Sequence, residues 1–348
     1  MSGRGRLVAG LAIGAVAVAL GIVVARLVSD GGDAASPTPV AGAERPSRLV
    51  VLSVTGAPHA MLTIVGSGGD QPPASLVLPP GTMVVAPGQG ETTIEGVAAL
   101  QPTSMRVAVS NAIGGWIDAS AVTDLEGLAA IVDRVGGLTV NLPEAVTLGD
   151  TVLGPGTTAF DGTQVAAFVR AEGDDAGERW ALIVQALLAD ADTAEATGAA
   201  TGELATVDDA ALVAEVLGAA AGASVELAPT APVAATALVL DQPAADELVR
   251  ELFGLAEAVR VLVQNGNGEP GIGEEVARLL LPNGFRVVLS QNADTFRHKK
   301  TEIAATEAAF AGEAERVREL LGVGTVAVSQ VPSGLADITI VVGRDFTA

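Results

Sequence analysis

Two arginines, Arg170 and Arg179, bracket the acidic, glycine-bearing stretch AEGDDAGE and lead into the apolar run WALIVQALL. A guanidinium offers paired, planar donors to phosphate oxygens and stays charged, and a neighbouring carboxylate can hold a hard cation. The chemistry such a group could serve is the handling of a phosphorylated ligand, with Arg170 and Arg179 facing the phosphate and Asp174 or Asp175 near a hard cation. The competing reading pairs both arginines with Glu172, Asp174, Asp175 and Glu178 around a solvated loop, where exposed ion pairs are weak and common. A second basic group, His298, Lys299 and Lys300 in FRHKK, is the one compact basic run outside the N-terminus. It is a candidate interaction surface for phosphate or an acidic partner, or a solvated loop. His59 beside Pro58 could be offered as a base, but a lone histidine at a strand entrance more simply marks a turn.

Composition removes several alternatives. The 348 residues contain no Cys and two His, which excludes disulfides, thiolate metal sites and cysteine nucleophiles. A net charge of −22 argues against nucleic-acid binding through a broad basic face. Aromatic residues make up only 3 % of the chain, so its cores must be assembled from Val, Leu, Ile and Ala. The length predicts two folded domains.

The elements that must position these residues begin with a membrane segment. Arg4 and Arg6 precede LVAGLAIGAVAVALGIVVA, an uncharged stretch from Leu7 to Ala25 just long enough to cross about 30 Å of hydrocarbon as a helix. Basic residues ahead of the span predict a cytoplasmic N-terminus and exported domains. A cleavable signal peptide is the alternative; the lack of a clear small-x-small site and the interfacial position of Arg26 favour a retained single-pass anchor. All 41 acidic residues follow that point, 40 of them past residue 30. The expected organisation is a cytoplasmic tip and anchor over 1–28, a Gly/Pro/Ser linker over 29–47, a first folded domain over 48–256 and a second over 257–348.

Within the first domain, RLVVLSVTG, AMLTIVGSG and the Pro79–Pro80-interrupted PASLVLPPGTMVVAPG read as strands. DLEGLAAIVDRVGG has helical spacing and a double-glycine stop before the strand LTVNLPEAV. GTTAFDGTQVAAFV reads as a turn and a short helix, ERWALIVQALLADADT as a longer helix, and residues 191–256 as a region with helical stretches that completes or braces the domain. The second domain reads strand, glycine turn, helix, strand over VRVLVQNGNGEPGIGEEVARLLLPNGFRVVLSQNA, then strand, helix and two strands to the end. The expected class is α/β throughout, with a small mostly parallel or mixed sheet in the second domain.

Two motifs within these elements have simpler structural readings. NGNGEPGIG is not G-x-G-x-x-G followed by a suitably spaced acid, and Glu269, Glu274 and Glu275 would oppose a phosphate there, so a tight strand-to-helix turn is the better account. Asp124, Glu126 and Asp133 cap and solvate a helix whose Leu125, Leu128, Ile131 and Val132 pack.

Residues 259–346, with their N-G-x-G turn and closing G-x-D-F, resemble the LytR C-terminal domain, which follows LytR-CpsA-Psr domains in actinobacterial cell-envelope proteins. Residues 49–190 resemble the LytR-CpsA-Psr domain itself through AMLTIV, SLVLPPGTMVVAPGQG, the block Asp124–Val140 and FDGTQVAAFVRAEGDDAGERWALIVQALL. The resemblance implies transfer of a glycopolymer from a polyprenyl pyrophosphate to peptidoglycan outside the cell, assisted by magnesium. It also implies residues this chain lacks. The family's acid ahead of AMLTIV is replaced by Pro58 and His59, and the arginine and aspartate after the next strand by Pro79, Pro80 and Gly81. Arg170 matches the first arginine of Y-V-R-x-R, but the second is Glu172. Arg179 matches a later arginine, whereas the next Arg-Gln pair is replaced around Leu182 and Ile183. Asp174 or Asp175 falls near a downstream aspartate.

Missing several charged partners for one pyrophosphate, each worth about 2–5 kcal/mol in a buried site, predicts an inactive relative. The expectation is an extracytoplasmic membrane protein with no cofactor, binding lipid-linked or wall glycopolymer or scaffolding an active relative, and with no nucleic-acid partner. The alternative is a magnesium-dependent phosphotransferase with a rearranged site in which Arg170, Arg179 and Asp174 or Asp175 converge. Transcriptional attenuation has no support in an acidic chain without a helix-turn-helix signal.

Overall fold

The computed structural model describes residues 46–56, 59–148, 151–171, 173, 175–234, 237–329 and 334–347. The expected anchor, nearly all of the linker, Pro58, Glu172 and Asp174 lie outside these residues. No helix among the described residues is long and apolar enough to cross a membrane.

The chain enters through strands β1 (Arg48–Thr55), β2 (Met61–Ser67), β3 (Ala74–Leu78), β4 (Thr82–Ala86) and β5 (Gly90–Thr93), then helices α1 (Ile94–Ala98) and α2 (Pro102–Ile113). Next come β6 (Ala119–Asp124), α3 (Leu125–Arg134), β7 (Leu138–Leu142), the short pair β8 (Val146–Leu148) and β9 (Thr151–Leu153), and β10 (Gly156–Phe160). Helices α4 (Gly162–Arg170), α5 (Ala176–Leu187) and α6 (Ala191–Leu204) follow, then β11 (Thr206–Val207), α7 (Ala210–Gly218), β12 (Ser224–Leu227), β13 (Thr230–Ala234), β14 (Ala237–Leu240) and α8 (Gln242–Phe253).

Six of these strands form a sheet in the order β11-β6-β1-β2-β3-β12, with β1, β2 and β3 antiparallel and β6 parallel to β1. Every residue of β2 is buried because both faces of the sheet are covered. Val50, Val54, Met61 and Val65 meet α3, α5 and α7 on one face; Leu49, Val51, Leu62 and Ile64 meet α1, α2 and α8 on the other. This makes an α/β/α sandwich. At Gly66 a Cβ would lie 2.5 Å from the ring of Phe253, so the glycine lets α8 lie down on the sheet. A second sheet, β13-β14-β4-β5, extends one end.

The helix expected over 124–137 forms as α3: the Asp124 side chain accepts from the Gly127 N–H, and Leu125, Leu128, Ile131 and Val132 are buried. Gly136 and Gly137, at φ 89° and 91°, end it by taking the left-handed conformation that residues with a Cβ avoid. Other elements depart from expectation. GTTAF is a strand paired with β7, not a turn. The long helix ends at Leu187 because Asp190 caps a new one, α6. Residues 191–256 supply β11 and β12 to the main sheet as well as helices.

The second unit contains β15 (Val259–Asn265), α9 (Ile272–Leu280), β16 (Phe285–Asn292), β17 (Glu302–Ala305), α10 (Ala311–Leu321), β18 (Thr325–Val328) and β19 (Ile338–Val342). Its sheet order is β16-β15-β19-β17-β18, parallel except between β17 and β19. The closing G-x-D-F is structural: Asp345 accepts from the backbone and hydroxyl of Thr301, Phe346 enters the core, and Gly343 lies against the chain at Lys300. A Cβ on Gly343 would sit 2.2 Å from the Lys300 carbonyl carbon. Gly343→Ala is therefore expected to lower stability by about 3 kcal/mol, read as a lower urea midpoint. Gly312→Ala, in open space within α10, should instead raise it by about 1 kcal/mol.

Candidate functional site

The first turn of α5 lies beside the Pro79–Gly81 bend, since a Cβ on Gly177 would be 3.7 Å from the Pro79 Cα. Arg179 follows in that turn, only 6 % exposed. Its two terminal nitrogens donate to Asp175 and to the Ala171 carbonyl, and its Nε is buried without a hydrogen-bond partner. Arg179 thus closes the AEGDDAGE loop on itself. Arg170 ends α4 exposed and has no ion pair among the described residues. On the other side of the bend, Glu95 of α1 accepts from the Gly81 N–H at 3.0 Å and lies 3.7 Å from Nδ1 of the half-exposed His59. Glu95 was not legible as a site residue. In place of a cation after Pro79, a carboxylate holds the bend. Asp175 is engaged by Arg179, and no three His, Asp or Glu side chains among the described residues converge as a hard cation requires. The described residues offer no ligand set for magnesium.

Behind this corner, between β1, β6, α3, α5 and α6, a cavity of about 30 Å³ remains, lined by Leu52, Ala121, Leu128, Ile131, Trp180 and Leu187 among others. That is room for only a small number of water molecules. Trp180 is 1 % exposed, and its indole N–H donates to the buried Thr63 of β2.

A larger opening, a cleft of about 770 Å³, lies where the two units meet. Its floor is apolar, including Val84, Val85, Val239 and Val287, and two of its arginines are paired: Arg286 makes two bonds of 2.7 and 2.8 Å to Asp246, and Arg260 pairs with Asp337. The bond to Asp337 raises the Arg260 guanidinium above its ordinary value, keeping it charged. Asn111 of α2 sits between the units: its Oδ1 accepts from the Val287 N–H at 2.7 Å, while its Nδ2 donates to the carbonyls of Val287 and Val85. Across α2, Ser104 donates to Glu274 of α9.

The basic run FRHKK lies far along the second unit, on the loop before β17. Asn265 folds the N-G-x-G turn by accepting from Gly268 and donating to the Glu269 carbonyl. His298 is half-buried against that turn, its backbone bonded to Gly266 and Arg344, while Lys299 and Lys300 are exposed.

Residues 82–181 match the LytR_cpsA_psr family, and residues 258–346 match the family described as LytR cell envelope-related transcriptional attenuator. The crystal structure of B. subtilis TagV is similar over 60 % of this chain and 96 % of that one, at 14 % identity and a TM-score of 0.50. The LytR-Csp2A-Psr enzyme from Actinomyces oris covers 63 % of this chain and 93 % of its own at 17 % identity and a TM-score of 0.49. TagT bound to LI-WTA covers 61 % and 96 % at 18 % identity and the same score. No curated protein matches in sequence. The likeness to TagV, at a TM-score of 0.50, is one of fold. Residues 82–181 thus carry a LytR-CpsA-Psr match and residues 258–346 a LytR C-terminal domain match.

Proposed function

We propose that this chain is a membrane-anchored, extracytoplasmic and noncatalytic member of its family, which binds or scaffolds the assembly of cell-wall glycopolymer beside an active relative. The anchor rests on Leu7–Ala25 and its flanking arginines. The observation that carries the noncatalytic reading is Arg179. A pyrophosphate transfer needs several preorganised cations turned toward the ligand. Here a single buried guanidinium is turned inward onto Asp175 and Ala171, and Gly81 and Glu95 stand where a second cation is expected. The narrow apolar space behind it adds support, because a polyprenyl tail has no room there.

The test is calorimetric titration of the purified full-length chain with a short-chain polyprenyl pyrophosphate and magnesium, followed by a transfer assay with a peptidoglycan acceptor and an active family member as positive control. Heat of dilution alone and no transfer are expected. Saturable binding that disappears in Arg170→Ala/Arg179→Ala, together with transfer, would overturn the proposal and restore the transferase reading.

A further inference from the structure

The chain has only two lysines, Lys299 and Lys300, and both stand in the FRHKK loop. Arg297 and Arg344 are exposed beside them, with Arg344 donating to the Phe296 carbonyl. None of the four cations has a carboxylate partner among the described residues. Every other described arginine except Arg170 and Arg250 stands in an ion pair with Asp or Glu. In a protein of net charge −22, acids are plentiful, so four unmatched cations gathered on one surface are an exception.

The loop that presents them is held by its backbone. His298 N–H donates to the Gly266 carbonyl, Arg344 N–H to the His298 carbonyl, and Thr301 N–H to Asp345. Close packing of Gly266 on the His298 ring and of Gly343 on the Lys300 backbone fixes the same segment from both sides. Asp345, which would otherwise neutralise the patch, is occupied by Thr301. Phe296 leads the run and is 45 % exposed, resting on Gly268. A rigid display of cations loses little conformational entropy when an anion binds.

We propose that Arg297, Lys299, Lys300 and Arg344, with Phe296, form a binding surface for a linear polyanion of the phosphodiester class. The cations lie along a surface rather than around a pocket, which suits repeated charges better than one compact anion. The exposed acids Asp294, three residues before Arg297, and Glu269, on the turn that His298 packs against, would repel a flat anionic bilayer, whereas a single polymer strand can follow the patch and avoid them. Phe296 offers an apolar face to the sugar or polyol between phosphates. This surface is separate from the Arg179 corner, so either proposal can fail while the other stands.

The test uses the full-length chain in detergent micelles and a fluorescent synthetic poly(glycerol phosphate) oligomer, followed by anisotropy at two salt concentrations. Binding is expected to weaken with salt, and R297A/K299A/K300A/R344A should weaken it by about tenfold or more at low salt. An equal-charge control, R48A/R134A/R316A/R318A, removes carboxylate-paired surface arginines and should stay within about twofold of wild type. Lys299→Glu/Lys300→Glu repeats the test without touching Arg344. No binding by the wild-type chain, equal losses in the two fourfold variants, or binding to phosphatidylglycerol vesicles without binding to the oligomer would each overturn the proposal.

Discussion

Trp180→Ala is expected to destabilise the protein by about 3–5 kcal/mol and to convert a closed apolar corner into one that accepts small hydrophobic ligands. The indole is buried among Leu52, Leu128, Ile131 and Leu187, and these side chains come from a sheet and two helices that cannot collapse together onto a missing ring. Removing it also leaves the buried Thr63 hydroxyl without its donor. The space created, on the order of 100 Å³ and lined by aliphatic groups, is of the kind that stays dry and takes benzene or xenon. Benzene should therefore raise the melting temperature of Trp180→Ala and leave that of the wild type unchanged. Trp180→Phe separates the contributions, since it keeps most of the packing and loses the bond to Thr63, for a cost of about 1–2 kcal/mol. A benzene response of equal size in the wild-type protein would show that the corner is already open and would remove one support from the noncatalytic reading.

How far this corner could be foreseen differs from residue to residue. The replacement of a cation by Pro79–Gly81 is visible in sequence because residue type alone decides it. The burial of Arg179 is not, because an arginine among Glu172, Asp174, Asp175 and Glu178 has every mark of a solvated surface residue. Only the return of the loop over the first turn of α5 places its fork against Ala171. Helix α3 and its glycine stop were legible because apolar period and left-handed glycines are local signals. Strands β12, β13 and β14 were hidden in an Ala/Asp/Glu-rich region whose composition favours helix; the pairing of β12 with β3 and of β14 with β4 comes from distant segments and overrides local propensity, and β13 pairs on to β14. Helix α2 was missed for a related reason. PTSMRVAVSNAI carries Ser110 and Asn111 near its end and is apolar around much of its circumference, so no single face stands out.

That missed helix carries the second large effect. Asn111→Ala is expected to cost about 3–5 kcal/mol and to loosen the joint between the two units. β16 is the edge strand of its sheet, and the N–H and C=O of Val287 point away from β15 with no strand to receive them. One asparagine amide takes both, its oxygen accepting from the Val287 N–H and its nitrogen donating to the Val287 carbonyl at 2.9 Å and to Val85 at 3.1 Å. The amide behaves as a one-residue strand that ties the edge of the second sheet to β4 of the first unit. Alanine leaves three polar groups unmet, and the adjoining cleft admits water to them, which places the cost at the low end of the sum. Asn111→Asp should be no better, because a carboxylate would face two carbonyl oxygens. The Arg286–Asp246 pair, the Ser104–Glu274 bond and the packing of Val107 would then remain across the joint, with Gly114 leaving room for the guanidinium. Hydrogen exchange resolves the outcome: the Val287 amide should pass from protected to fast exchange in Asn111→Ala, while amides inside β15 and β19 keep their protection. Unchanged protection at Val287 would mean that β16 is held by the remaining contacts and that Asn111 is not the tie between the units.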